Sequence, residues 1–379
     1  MEIVSSSRPP LEKGRLAYVD WARGLAVLLM IEAHTLDAWT RLDARGTVAF
    51  RNATVLGGFA APLFLWLAGV GAALAAARTT ARRGSRAAVE AGCRRGLQIF
   101  VLGLLFRLQA LVLTPGGALV SLFRVDILNV MGLAMVGAAL LWGAARTSTG
   151  RALLLSAAAT AFAMTTPIVR ASEAVDRLPV WVQWYIRPFG DMTTFTLFPW
   201  AAFLLAGSAT GVLVSASGGV RTERLVHAAL AATGTALIAL GFYTASRRAL
   251  YPAASFWTSS PTWFAIRLGI LMVVCEALYG LEIATIAPAR RDDILRVFVF
   301  PWRMPLARLG RASLLIYWIH VELVYGYASW LWRHRLPLWG TAIAFVAFSA
   351  LMYAAVVLRD EVASRRRQGT RAVARPATA

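Results

Sequence analysis

The residues best placed to do chemistry sit in one apolar stretch near the start of the chain, RLAYVDWARGLAVLLMIEAHTLDAW. Arg23 and His34 lie eleven positions apart in it. At about 100° per residue that is three helical turns plus roughly 20°, so both side chains share one face, about 16 Å apart along the axis. That is half of a bilayer core, roughly 30 Å thick. Ionisable side chains at membrane depth are costly and usually mark function. A guanidinium toward one end and an imidazole toward the other describe a site that works across a membrane. Asp20 can pair with Arg23, and Asp37 with His34, each at a spacing of three. A carboxylate against one imidazole nitrogen fixes the tautomer and makes the other nitrogen a better base. The same spacing also suits two polar residues that merely meet water at a helix end. Glu32 faces elsewhere, toward Arg107 or Arg267 of a neighbouring helix.

A second candidate is RLGRASLLIYWIHVELVYG, where Ser313, Tyr317 and His320 follow at intervals of four and three and form one polar stripe. A polar contact between helices explains that stripe as well as catalysis does. Arg308 and Arg311 read as the start of this helix, where cations oppose the macrodipole and invite an anionic partner. Arg267, Glu276 and Glu282 share the preceding apolar run and are candidates for an internal pair. No cluster has metal-ligand spacing, so no metal is expected. Cys93 and Cys275 read as packing residues without a disulfide framework.

The elements that must hold these groups are membrane helices. Hydrophobic residues make up 58 % of the chain, and apolar runs of membrane length recur near 16–38, 54–77, 96–114, 125–145, 152–169, 192–215, 225–245, 262–286, 309–332 and 337–358. The fold expected is an all-α, polytopic membrane bundle of about ten helices. A re-entrant piece at 116–124 stays open. Residues 1–15 read as a polar leader, 16–358 as the membrane domain, and 359–379 as a basic tail, disordered past about 365. Gly57, Gly58, Gly69 and Gly71 should let helices approach closely. Pro62 should kink the second span, and Pro199 should free a carbonyl at membrane depth. Trp181, Trp184 and Tyr185, in the long segment 167–191, should sit among lipid headgroups.

The net charge of +20 would suggest nucleic acid for a soluble protein. Here most Lys and Arg fall in segments on one side, which is the positive-inside pattern and puts both termini in the cytoplasm. A cytoplasmic mouth with Arg94, Arg95, Arg308 and Arg311 would suit an anionic ligand. An imidazole at membrane depth has a pKa suited to general-base work on a weak nucleophile.

Taken in series, several segments resemble the heparan-α-glucosaminide N-acetyltransferase-like catalytic domain, within the transmembrane acyltransferases and related to the acyltransferase-3 type. The carrying residues are Arg15, Asp20, Arg23, Gly24, Met30, His34 and Asp37, in the pattern R-x4-D-x2-RG-x5-M-x3-H-x2-D. APLFLWLAGVG, FRVDILNVMGL, FPWAAFLLAG and LGRASLLIYWIH follow in order, so the resemblance runs from 15 to about 325. It implies acyl transfer from cytoplasmic acyl-CoA, acetyl-CoA above all, to a hydroxyl or amine at the far face. By it, His34 becomes the catalytic base or transient acyl carrier and Arg23 helps hold the donor. No permanently bound cofactor is implied; acyl-CoA is a co-substrate. Membrane lipids, acyl-CoA and a sugar or other cell-envelope acceptor are the expected partners, nucleic acid is not, and homodimer formation is left open. A bacterial cytoplasmic membrane is the expected location. Eukaryotic lysosomal members differ where His34 aligns, and heparan sulfate does not carry over as acceptor. The competing reading is a secondary transporter or flippase, which would explain many spans and buried charges. No two halves with corresponding broken segments are visible to support it.

Overall fold

The computed structural model describes residues 16–113, 118–252, 254–286 and 294–373, with backbone alone for 286, 294–301 and 366–373. Twelve helices occur among them: α1 Ala17–Trp39, α2 Val48–Gly57, α3 Ala60–Leu113, α4 Ile127–Ala144, α5 Ser148–Ala171, α6 Val180–Ile186, α7 Leu197–Ala216, α8 Val220–Ala245, α9 Pro261–Ile286, α10 Ile294–Arg311, α11 Ser313–Tyr325 and α12 Leu338–Val373. The described residues hold no β-strand. The fold is an all-α polytopic membrane bundle.

Seven helical stretches are long and apolar enough to cross a bilayer, against ten apolar runs in the sequence. Three features account for the difference. The runs at 54–77 and 96–114 belong to one stretch, Val48–Leu113, which reverses at Gly84 with φ 83°. A positive φ is open to glycine at little cost. Helix α1 carries Asp20, Arg23, Glu32 and Asp37 and falls short on apolarity. The run at 309–332 is not one helix, because α10 ends at Arg311, Ala312 leaves the helical region at φ −100° and ψ 9°, and α11 has only 13 residues.

Both prolines expected to break spans instead begin helices. Pro62 lies in the first turn of α3, after the chain has already turned between Gly57 and Phe59, and Pro199 occupies the first turn of α7. A first-turn proline loses no intrahelical bond. The described part of the 116–124 stretch is one 3₁₀ turn, Leu119–Phe123, with both end residues exposed. In α6, Trp181 is exposed as expected of a headgroup residue, whereas Trp184 is buried and packs with Val125 and Val130. Residues 1–15, read as a polar leader, lie outside the described residues.

Lipid tails offer no hydrophobic contrast, so helix association here rests on close packing. A Cβ at Gly69 of α3 would strike the Leu204 carbonyl, and one at Gly207 of α7 would strike the Trp66 carbonyl. These reciprocal seats bind α3 to α7. Gly24 and Gly310 do the same for α1 and α10 through the carbonyls of Leu306 and Asp20. The far end of α1 is tied by Trp39 Nε1 donating to Val324 O (3.3 Å) and by the His334 and Leu336 amides donating to Ala38 O and Trp39 O. Helices α1 and α11 are thereby held side by side.

Candidate active site

That pairing brings His34 and His320 together. His34 Nδ1 lies 2.7 Å from His320 Nε2, and His320 Nδ1 lies 2.8 Å from the Ile316 carbonyl oxygen. A carbonyl only accepts, so His320 donates through Nδ1 and its Nε2 carries a lone pair. His34 must then donate through its own Nδ1, leaving Nε2 as its basic nitrogen. The ring centres stand 5.0 Å apart with planes 8° from parallel. Together with the short N–N contact, this describes nearly coplanar rings meeting edge to edge, the geometry of an in-line hydrogen bond. His320 is wholly buried, whereas His34 lines a cavity.

Asp37 does not take the orienting role expected from its spacing. Its Oδ2 accepts from Tyr325 OH at 2.9 Å, and its Oδ1 lies 3.7 Å from Arg45 Nη1. The Tyr325 ring meets the His34 ring edge-on at 5.5 Å. Asp37 therefore touches the histidine pair through a tyrosine, and His320 stands where a triad has its carboxylate.

The cavity has a volume of about 1390 Å³ and lies among α1, α3, α4, α7, α9 and α11. Arg23, Arg95, Arg311, Ser313 and Tyr317 line it together with His34 and Asp37. Arg23 Nη1 is 3.6 Å from Asp20 Oδ1, and its Nη2 occupies space that a side chain at position 71 would fill, 2.7 Å from a Cβ built on Gly71. The glycine thus leaves room for the guanidinium. Arg94 and Arg308 do not line this cavity. Arg94 faces a shallow groove on the outer side of α3, beside Glu90 and Leu97. Arg308 and Arg311 lie in the last turn of α10, not at the start of the next helix. There they favour the macrodipole, so their placement alone does not call for an anion.

Other charges pair differently from the sequence expectation. Arg107 meets Asp126 at 3.3 Å, not Glu32. Glu276 bonds His227 of α8 at 2.6 Å, Glu282 accepts from the Tyr18 amide at 2.7 Å, and Arg267 rests on the Trp263 ring at 4.8 Å. Arg124 and Arg170 also line the cavity and were not singled out from sequence. Arg124 stands within FRVDILNVMGL, and a charge at the edge of an apolar run was the signal available for both. Among the described residues no group of three or more His, Cys, Asp or Glu could hold a metal ion.

A family model for the catalytic domain of heparan-α-glucosaminide N-acetyltransferase matches residues 15–248, which include α1 to α8. The chain belongs to this family. It is therefore a membrane protein of the acetyltransferase class. The match includes Arg23, His34, Arg95 and Arg107 and stops before α9, so His320 and Tyr325 lie beyond it. No curated protein matches the chain.

Proposed function

We propose that the protein takes an acetyl group from cytoplasmic acetyl-CoA and passes it to a hydroxyl or amine of a sugar or other envelope acceptor at the opposite face. One observation carries this: a single cavity holds Arg23, Arg95 and Arg311 together with the imidazole of His34. Arg95 and Arg311 would take the CoA phosphates through charge-assisted bonds. Ala68, Ala72 and Ala75 of α3, which line the same cavity, would leave a narrow apolar path for the pantetheine arm. The thioester would reach His34 with Arg23 beside the arm.

At the reacting end, His34 Nε2 would accept the proton of the acceptor hydroxyl or ammonium-derived amine as that atom attacks the thioester carbonyl. The positive charge then gained by His34 is shared through its Nδ1–H with His320 Nε2. Collapse of the tetrahedral intermediate expels the CoA thiolate, which recovers the proton from Nε2. Tyr325, itself bonded to Asp37, would steady the His34 ring from the side. Family membership favours this enzyme reading over the transporter.

The test uses purified full-length protein, radiolabelled acetyl-CoA and a panel of amino sugars. Acetyl transfer or thioester hydrolysis is expected, and His34→Ala should lose about 10²–10⁴-fold in rate while still binding acetyl-CoA. Absence of acetyl-CoA binding in the wild type would return the transporter reading to first place.

A further inference from the structure

Four arginines from four segments line the cavity that holds His34: Arg107 of α3, Arg124 before α4, Arg170 of α5 and Arg267 of α9. The mechanism above uses none of them. Arg107 is neutralised by Asp126. Arg170 donates to neutral oxygens, the Phe198 carbonyl (3.0 Å from Nε) and the Thr196 hydroxyl (2.8 Å from Nη2). Arg267 lies on an aromatic ring. The Nε atoms of Arg107, Arg124 and Arg267 are buried with no hydrogen-bond partner among the described residues. A buried donor left unpaired is expensive, and a cationic one more so.

The acids on the same wall do not balance these cations. Asp37 is engaged by Arg45 and Tyr325, Asp126 by Arg107 and Glu322 by the Gln109 side chain, while Asp191 lies near Arg124. Glu32 turns its Oε2 toward Gly57. Seven arginines thus line a cavity that holds three carboxylates, Asp37, Asp126 and Glu322, and that is also walled by Thr193, Thr258 and Trp257. Planar donor forks from separate segments suit a tetrahedral oxyanion with several acceptor atoms better than a single carboxylate.

We infer that Arg124, Arg170 and Arg267 form a phosphoryl-binding subsite, and that the acceptor carries a phosphate ester beside the group to be acetylated. The word acceptor rests on the acyltransferase reading; the anion site itself does not. The phosphate could belong to a lipid headgroup or to a soluble phosphosugar, and the chemistry of recognition is the same.

The full chain in phosphatidylcholine nanodiscs, without acetyl-CoA, is titrated with glucosamine 6-phosphate and with glucosamine. At least tenfold tighter binding of the phosphorylated sugar is expected. Arg124→Gln and Arg267→Gln should each remove most of that preference while acetyl-CoA binding stays at the wild-type level, and Arg267→Lys should keep part of it. Equal binding of the two sugars by the wild type would overturn the inference, whether or not the variants fold. So would a preference that survives both Gln variants. Repeating the titration in phosphatidylglycerol discs separates the sources: competition by the lipid assigns the phosphate to a headgroup, and undiminished sugar phosphate binding assigns it to the soluble acceptor. Phosphate preference without any acetyl transfer would sink the acyltransferase reading alone. Transfer to neutral and phosphorylated sugars with equal efficiency would sink the subsite alone.

Discussion

At the scale of single residues, the chemistry rests on a chain of two imidazoles ending at a backbone carbonyl. His320→Leu would leave the His34 Nδ1–H buried without an acceptor, a cost of about 1–3 kcal/mol, or roughly ten- to hundredfold in rate if felt in the transition state. His320→Gln offers a side-chain oxygen at a similar reach and should recover part of that loss. Rates for both, alongside acetyl-CoA affinity, separate a positioning role from a general loss of structure. A Gln variant no better than Leu would deny His320 that role. Asp37→Asn should be mild, within about fivefold, because an exposed ion pair such as Asp37 with Arg45 is worth only about 0.2–1 kcal/mol. A loss as large as that of His34→Ala would show that Asp37 acts directly on the imidazole. The spacing of three in sequence pointed to Asp37 as the orienting group. It could not show that Tyr325, nearly three hundred positions on, claims that carboxylate first.

At the scale of elements, α1 with its Arg23–His34 face and the all-α architecture were legible in the sequence, because a 3.6-residue period and apolar length are local properties. Partners across helices were not. Glu276 turned out to face His227 and Arg107 to face Asp126, and nothing within one helix encodes its neighbour. Helix ends were also misread. Arg308 and Arg311 close α10, since Ala312 resets the backbone between two apolar stretches that read as one run. The glycines of APLFLWLAGVG were read as packing positions, and Gly69 is one. Gly69→Leu should force α3 away from α7, and overpacking of this kind costs about 1–3 kcal/mol or more. The measurement is a thermal unfolding midpoint in detergent, with Leu74→Met as a conservative control. An unchanged midpoint would mean the two helices are not seated on each other at that glycine. Gly71 plays a different part, since it borders Arg23 Nη2. Gly71→Val should raise the KM for acetyl-CoA several-fold with little change in midpoint, and unaltered KM would remove Arg23 from the donor path.

At the scale of the whole molecule, direction across the membrane decides what the cavity can do. A donor site at one end and a base toward the other make a transmembrane acetyl transfer only if the arginine end is cytoplasmic. The reversal of α3 at Gly84 is flanked by Arg82, Arg83 and Arg86, exposed at the same end of the bundle as the last turn of α10. The opposite end carries α6 and the 3₁₀ turn Glu173–Arg177. Positively charged short loops are retained on the cytoplasmic side. A single cysteine in place of Arg86 should therefore stay unlabelled by a membrane-impermeant maleimide on intact cells and react once the cells are opened. One in place of Arg177 should react in both. The background needs Cys93→Ser, since Cys93 is half-buried, whereas Cys275 is fully buried and silent. Labelling of the Arg86 position from outside would reverse the bundle. Arg95 and Arg311 would then face away from the coenzyme pool. In that orientation the same cavity would have to draw both substrates from one side, and the separation between Arg23 and His34 would have no transport role.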